Sequence, residues 1–246
     1  FEHATAYLTV ALFEQHDRQR FEVFGYSTGP DDDSPMRRRI GAAFEHFADV
    51  SALSDLEVAQ RVRNDGIDIL VDLKGYTSNN RLEILALRPS PVQVSWLAFP
   101  GGLGAPFIDY LIADPIVAPA DQAGFYDEAL AHLPDAYAPV DTRRPVAPTP
   151  TRTQAGLPED ALVLCCFNEP YKITPDIFER WCRLLRALPD AVLWLYAGRD
   201  EVIASLRREA QQRGVAPERL MFARKLPQAE HLARLALADL CLDTLP

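Results

Sequence analysis

Residues 161–197 read ALVLCCFNEPYKITPDIFERWCRLLRALPDAVLWLYA. Two apolar runs, Ala161–Phe167 and Ala191–Ala197, flank one helical segment, Pro175–Leu188. Thr174, a preferred N-cap residue, precedes that segment, whose first residue is a proline, so a helix is predicted to begin there. Short apolar runs next to a helix are typical of strands that are buried on both faces of a parallel sheet. The stretch therefore predicts a β-α-β unit.

The same alternation extends in both directions along the chain. Toward the C-terminus the predicted elements are a helix over Glu201–Arg213, a strand over Arg219–Ala223, a helix over Ala229–Leu237 and a strand over Asp239–Leu242. In the first half the predicted strands are Phe21–Tyr26, Ile67–Leu73, Val92–Phe99 and Tyr110–Ala113, and the helices are Thr5–His16, Met36–Phe44 and one capped by Ser54. The Ile67–Leu73 run is also expected to be buried on both faces. Strands that alternate with helices in this way predict an α/β protein with parallel sheets.

A proline-rich segment separates the two halves. Four prolines lie between residues 139 and 150, and proline fixes φ and lacks an amide donor, so this segment is predicted to be extended. We expect a first Rossmann-like domain over residues 1–140, a linker over 141–155 and a second domain over 156–246. A doubly wound nucleotide domain usually has five or six strands. The second half supplies about four, so the second domain is expected to be incomplete in this chain.

Composition narrows the classes of partner. The chain has 246 residues and a formal net charge of −10, which disfavours nucleic acid and anionic membranes as partners. No apolar run reaches the ~18 residues that a membrane span needs. The four cysteines lack metal-binding spacing and are predicted to be buried, reduced thiols of a cytoplasmic protein. No Asp-x-Asp follows a strand, so no metal is expected, and the cations for a phosphate ligand would come from Lys, Arg and helix N-termini.

The strongest candidate site is the junction that follows the Ala161–Phe167 run. Glu169, Tyr171 and Lys172 lie between a buried strand and a helix N-terminus, whose free N–H groups favour a phosphate. Lys172 would add a full positive charge and stabilise a departing diphosphate. The ordinary alternative is a solvated surface lysine.

Two strand-end loops in the first half are candidates of the same kind. Gly101 and Gly102 belong to the loop Pro100–Gly104, where glycines allow backbone amides to approach a ligand. An ordinary tight turn explains the same sequence. Thr77 ends the second loop, Gly75–Thr77.

Two positions near helices complete the candidates. His231 and Arg234 are three residues apart and share a helix face, which is either solvated or in contact with a nucleotide. His3 stands before the first helix, where a histidine can orient or deprotonate a hydroxyl. A frayed terminal residue is the alternative for His3.

Several stretches resemble one family, the SPINDLY/O-linked N-acetylglucosamine transferases. They include residues 3–8 (HATAYL), 65–77 (DGIDILVDLKGYT), 166–173 (CFNEPYKI) and 238–244 (ADLCLDT). The matching stretches occur in the same order across nearly the whole chain. The resemblance implies a GT-B architecture with two Rossmann-like parallel-sheet domains. It also implies inverting transfer of N-acetylglucosamine from UDP-GlcNAc to Ser or Thr of a protein or peptide, without a metal or other cofactor.

The resemblance also assigns site residues. His3 corresponds to the family's active-site histidine and Lys172 to its diphosphate lysine, with Tyr171 beside it. Thr77 and the loop Pro100–Gly104 would line the sugar pocket. The positions that match the uridine and phosphate region are Leu226, Gln228, His231 and Arg234.

The chain departs from the family pattern at four places. Ala4 replaces a proline, Gly101–Gly104 replaces GTSG, Glu169 replaces Gln or Asn, and Gln228 replaces a lysine. These departures leave open a protein O-fucosyltransferase that uses GDP-fucose, or a catalytically inactive nucleotide-sugar-binding module. The family's tandem 34-residue (TPR) repeats are expected upstream and its His-Thr-Thr helix start downstream, so the 246 residues alone are expected to be inactive.

Overall fold

A computed structural model of the chain describes residues 3–99 and 101–244. The chain forms two compact units, Phe1–Arg143 (the first unit) and Arg144–Pro246 (the second unit). The boundary falls inside the proline-rich segment. Asp141, which is 1% exposed, belongs to the first unit, where its carboxylate pairs with Arg39 at 2.6 Å. Ala147 belongs to the second unit, where its amide donates to the carbonyl of Ala229 at 3.1 Å.

The first unit alternates short strands with helices. Its helices are α1 (Ala4–Glu14), α2 (Pro35–Ala42), α3 (Asp55–Asn64) and α4 (Leu82–Ala86), with a 3₁₀ turn over Ala120–Phe125. Its strands are β1 (Phe24–Ser27), β2 (His46–Asp49), β3 (Ile69–Asp72), β4 (Val92–Ser95), β5 (Tyr110–Ala113) and β6 (Ala129–His132). The predicted capping box at Ser54 is confirmed, with Glu57 as its reciprocal partner, and it fixes the start of α3.

The strands of the first unit form two parallel sheets, ordered β1-β2 and β3-β4-β5-β6. Val58, Ala59 and Val62 of α3 pack with α4 and Leu70 of β3 in one apolar core. The expectation that the Ile67–Leu73 run is buried on both faces is wrong, because Ile69 is 58% exposed and Val71 is 39% exposed. The physical reason is that residues two apart on a strand point to the same face: Leu70 packs in the core, whereas Ile69 and Val71 belong to no apolar cluster among the described residues.

The second unit has a single parallel sheet, ordered β10-β7-β8-β9. Its elements are β7 (Leu162–Cys166), α5 (Pro175–Ala187), β8 (Ala191–Tyr196), α6 (Asp200–Gln212), β9 (Leu220–Ala223), α7 (Gln228–Arg234) and β10 (Leu240–Cys241). Three 3₁₀ turns cover Pro170–Lys172, Pro217–Arg219 and Leu235–Leu237. The predicted α/β class with parallel sheets is confirmed.

The central strand β8 shows why this sequence folds as a layered sheet. Leu193 and Leu195 pack in one apolar cluster with α5, and Trp194 packs in another with Val163. Each fully buried side chain of this size contributes roughly 1.5–3 kcal/mol. The predicted N-cap is also present, because the Thr174 hydroxyl accepts from the amide of Ile177 at 3.4 Å.

Three of the four cysteines are buried as predicted, and all four are free thiols. The prediction is wrong for Cys241, which is exposed because it lies on the edge strand β10. Its sulfur lies 3.3 Å from that of Cys165 on β7. Burial and this neighbour raise the pKa of Cys165 to about 12, so its thiol is unreactive near neutral pH.

Candidate functional site

The predicted diphosphate junction follows the carboxyl end of β7. Lys172 ends the 3₁₀ turn, where its amide donates to the carbonyl of Glu169 at 2.9 Å. The side chains of Glu169, Tyr171 and Lys172 are exposed, Tyr171 by 81%. Within residues 3–99 and 101–244, no carboxylate pairs with the Lys172 ammonium. This cation at a strand end is therefore available to a ligand.

The N-terminus of α5 offers less to an anion than the sequence predicted. Pro175 has no N–H group, the amide of Ile177 donates to the Thr174 hydroxyl, and that of Phe178 to the Thr174 carbonyl. Asp176 also lies in the first turn, where its carboxylate offsets the positive end of the helix dipole. The first turn of α5 therefore offers fewer free amides than predicted, and Lys172 carries the positive charge of the junction.

His231 and Arg234 share one face of α7, as predicted. Two guanidinium nitrogens of Arg234, Nε and Nη2, donate to His231 Nδ1 at 3.0 and 2.8 Å. Because arginine can only donate, Nδ1 is the acceptor and the neutral ring carries its proton on Nε2. Burial and the charge of Arg234 lower the pKa of His231. The imidazole is thus held neutral, as a donor from Nε2.

Arg234 is a buried cation. It is 5% exposed, its guanidinium lies 4.8 Å from the ring centre of Phe167, and Nη1 donates to the carbonyl of Arg224 at 2.7 Å. No carboxylate in the described part of the chain pairs with it, and burial lowers its pKa. Since arginine has five N–H donors and these contacts use three, two remain for a ligand. A buried charge without a counter-ion is costly, which favours an oxygen-rich ligand at this place.

A cavity of about 370 Å³ lies against Arg234. This volume is within the range of small-molecule pockets. Its wall is mostly apolar, with Arg224 and Glu230 as further charged residues; the lining comprises Pro148, Pro150, Gln154, Ala155, Trp194, Phe222, Ala223, Arg224, Leu226, Glu230 and Arg234. Of the predicted positions, Leu226 and Arg234 line it. Gln228 begins α7 and is partly buried.

In the first unit, the loop that carries Thr77 contacts the loop that carries Gly101 and Gly102. The Tyr76 hydroxyl donates to the Leu103 carbonyl at 2.7 Å. Gly75 has φ +53°, and a Cβ there would lie 2.5 Å from Cβ of Phe99, so only glycine fits this close approach. The structure therefore brings the three predicted sugar-pocket positions together in one loop pair. Pro100 lies outside the described residues.

Glu128 is a buried residue of this loop pair that the sequence did not indicate. It is 3% exposed, and Oε1 accepts from the amides of Leu103 at 2.6 Å and Gly104 at 3.1 Å. No motif marks Glu128, which is one of many glutamates and stands directly before β6. Only the tertiary fold brings it to the loop, so local sequence reasoning could not find it.

His3 is the N-cap of α1, and its Nδ1 accepts from the amide of Thr5 at 3.3 Å. The neutral ring therefore carries its proton on Nε2.

Residues 3–99 and 101–244 contain neither a membrane-spanning helix nor a metal-binding cluster. No helix in these ranges combines the length and the apolar character needed to cross a bilayer. No group of three or more His, Cys, Asp or Glu side chains in the same ranges is arranged to hold a metal ion.

The sequence model of glycosyl transferase family 41 matches residues 1–147 and 143–246. The chain belongs to glycosyl transferase family 41. Family 41 membership accounts for the order of the motifs along both units, and it confirms the resemblance inferred from them.

The names of similar proteins are consistent with this family. The chain is 39% identical over 248 residues to an Arabidopsis thaliana protein named probable UDP-N-acetylglucosamine–peptide N-acetylglucosaminyltransferase SEC, covering 98% of the chain and 25% of that protein. It is 32% identical to the similarly named SPINDLY of the same plant, covering 100% of the chain and 28% of that protein. A solved structure, an O-GlcNAc transferase mutant of Thermobaculum terrenum, matches with a TM-score of 0.87 and 36% identity over 99% of the chain and 46% of its own. The predicted GT-B class is thereby confirmed for this family 41 chain, which spans about a quarter of the length of these curated relatives.

Proposed function

We propose that the protein is an inverting, metal-independent O-glycosyltransferase that moves N-acetylglucosamine from UDP-GlcNAc to Ser or Thr of proteins. The observation that carries the proposal is that Lys172 after β7 and the buried Arg234 on α7 have no carboxylate partner among residues 3–99 and 101–244. Relatives that match the whole chain are named for this activity. The same proposal places the protein in the cytoplasm, and a longer form with tandem helical repeats would present the acceptor protein.

In this proposal Lys172 neutralises the diphosphate as it leaves the sugar. The leaving group gains negative charge in the transition state, and a fixed ammonium stabilises that charge more than it stabilises the bound substrate. Tyr171 lies beside it. Glu169, exposed in the same turn, would be placed next to the phosphates, where its carboxylate weakens binding of the donor.

Arg234 and His231 would bind the nucleotide, contacting both the nucleobase and the diphosphate. A uracil ring presents carbonyl oxygens, and the two unused N–H groups of Arg234 and the Nε2 proton of His231 are matching donors. The cavity of about 370 Å³ supplies apolar walls such as Trp194 and Leu226. Gln228, at the start of the same helix, would contact the ribose or phosphate.

In the first unit, Thr77, Gly101 and Gly102 would contact the donor sugar, and His3 would orient the acceptor hydroxyl. The hydrogen bond from the Thr5 amide to Nδ1 holds the ring at the start of α1, which supports an orienting role.

The first test measures transfer of label from UDP-GlcNAc or GDP-fucose to a protein acceptor by the longer protein, because the 246 residues alone are expected to be inactive. Label from UDP-GlcNAc is expected on Ser or Thr. Label only from GDP-fucose would establish the fucosyltransferase, and binding of a nucleotide sugar without any transfer would establish the inactive module.

The second test replaces Lys172 by alanine. Loss of one such donor typically costs about 3–4 kcal/mol, so turnover should fall by ~10²–10³. Arg183→Ala, which removes an exposed cation farther along α5, is the matched control and should leave turnover within about twofold. An active Lys172→Ala enzyme would contradict the assignment of the leaving-group charge.

A further inference from the structure

The loop of residues 101–104 has four backbone amides, and Glu128 divides them into two pairs. Its Oε1 accepts from Leu103 and Gly104. The amides of Gly101 and Gly102 have no acceptor among the described residues. The loop thus keeps one adjacent pair of N–H groups for a ligand.

The second oxygen of Glu128 fixes the identity of residue 102. Oε2 is buried and has no hydrogen-bond partner in residues 3–99 and 101–244, and Pro100 has no amide hydrogen to give it. A Cβ on Gly102 would lie 2.8 Å from Oε2 and 3.1 Å from the Tyr126 ring. Any side chain at position 102 would therefore displace either the carboxyl group or the loop.

This arrangement costs stability. A buried carboxyl group with one unpartnered oxygen is unfavourable compared with an apolar side chain of similar size. Two hydrogen bonds to loop amides offset only part of that cost. Stability alone does not explain why Glu128 lies beneath this loop.

We propose that Glu128 is a positioning residue for the donor sugar. It holds the amides of Leu103 and Gly104, and the amides of Gly101 and Gly102 are left to donate to an oxygen of the sugar. Adjacent backbone N–H groups suit such an oxygen, because they are fixed dipoles that need no reorganisation. This inference rests on the proposed function, in which the loop lines the sugar pocket.

The test uses the longer protein and compares binding of UDP-GlcNAc with binding of UDP, together with amide hydrogen exchange in the ligand-free state. Glu128→Ala should speed exchange at Leu103 and Gly104 about tenfold or more, the factor expected for the loss of two net hydrogen bonds. The same variant should weaken the binding of UDP-GlcNAc roughly five- to tenfold and leave the affinity for UDP unchanged. Glu128→Gln keeps an oxygen acceptor and should restore both readouts to within about twofold.

Two more variants complete the experiment, one as a control and one as a substitute for the alanine variant. Asp127→Asn alters the exposed carboxylate next in sequence and should change neither readout. Glu128→Asp keeps the carboxyl group but shortens its reach, so it should selectively weaken the binding of UDP-GlcNAc. It replaces the alanine variant in the test if that variant does not fold.

Failure of the Glu128 assignment and failure of the proposed function give different results. If exchange at Leu103 and Gly104 accelerates but the ratio of UDP-GlcNAc to UDP affinity stays the same, Glu128 is only structural and the assignment is overturned alone. If the unaltered longer protein binds neither ligand, the proposed function falls and the assignment falls with it.

Discussion

At the scale of single residues, two side chains of the second unit determine each other's chemistry. Arg234 donates twice to Nδ1 of His231, and this geometry is possible only when that nitrogen is unprotonated. A second proton on His231 would break both hydrogen bonds and place two positive charges side by side. The neutral imidazole is therefore a condition for the position of Arg234 as well as a consequence of it.

This coupling predicts a pH dependence of stability. The folded pKa of His231 lies below its unfolded value, so the unfolded chain binds the extra proton more readily and stability falls as pH drops below about 6.5. His231→Gln, whose side-chain oxygen can still accept from Arg234, should remove this acid-dependent loss. The measurement is the free energy of unfolding by urea between about pH 7 and 5. Parallel curves for the two proteins over that range would show that His231 does not titrate in this way.

The residue scale also shows the limit of sequence reasoning about the site. His231 and Arg234 could be paired from their spacing, because a helix places residues three apart on one face. Glu128 could not be found, since it contacts a loop that is about 25 residues away in sequence and no local pattern predicts such a contact. Cys241 was misjudged for a related reason: its exposure depends on which strand lies at the sheet edge.

At the scale of elements, an ion-pair network joins α1, α2 and the segment after β6. Arg39 on α2 pairs with Glu14 of α1 at 2.7 Å and with Asp141 at 2.6 Å, and Arg143 also pairs with Glu14. Arg39, mainly through its hydrogen bonds, lowers the pKa of both Glu14 and Asp141. The network therefore stabilises the first unit while both carboxylates are ionised.

The network predicts the effect of removing Arg39. Arg39→Gln should destabilise the first unit by about 2–3 kcal/mol near pH 7, less than for a fully buried pair because Arg39 and Glu14 retain some exposure. Lowered folded pKa values mean that this stabilisation is lost as pH falls below about 4, so the difference between the two proteins should shrink by about pH 3.

The neighbouring Arg38 provides the control. It pairs with Asp33, and both side chains are largely exposed, so Arg38→Gln should change stability by less than about 1 kcal/mol at either pH. Equal losses for the two variants would contradict a special role for the network. Chemical unfolding at the two pH values gives the comparison.

Elements differed in how far the sequence predicted them. α5 and β8 were predicted to within one residue, because the capping residue and the apolar run are local signals that tertiary packing reinforces. β2 was not predicted, since His46–Asp49 is short, has two exposed ends and is a strand through its pairing with β1. β3 was predicted as a strand but not as an edge, because sheet order is a property of the assembled unit.

At the scale of the whole molecule, the net negative charge of the chain disfavours binding of the proposed ligand, which is an anion. The chain carries 35 acidic and 25 basic residues other than histidine, so a nucleotide diphosphate is repelled at long range. Binding then depends on local cations whose charge is not already neutralised. In the proposed function these are Lys172 and Arg234, one exposed and one buried.

This balance predicts how binding responds to metal removal and to salt. If Lys172 and Arg234 supply the charge for the diphosphate, chelation of divalent metal with EDTA should change the UDP affinity by less than about twofold. Ionic strength should act differently on the two cations: the contact with exposed Lys172 weakens as salt rises from about 0.05 to 0.5 M, whereas that with buried Arg234 is screened much less. Lys172→Ala should therefore reduce the salt dependence of UDP binding, as measured by calorimetry. A loss of affinity of tenfold or more on addition of EDTA would instead show that a metal ion bridges the phosphates, and the two side chains would then have to be reassigned to the base and sugar.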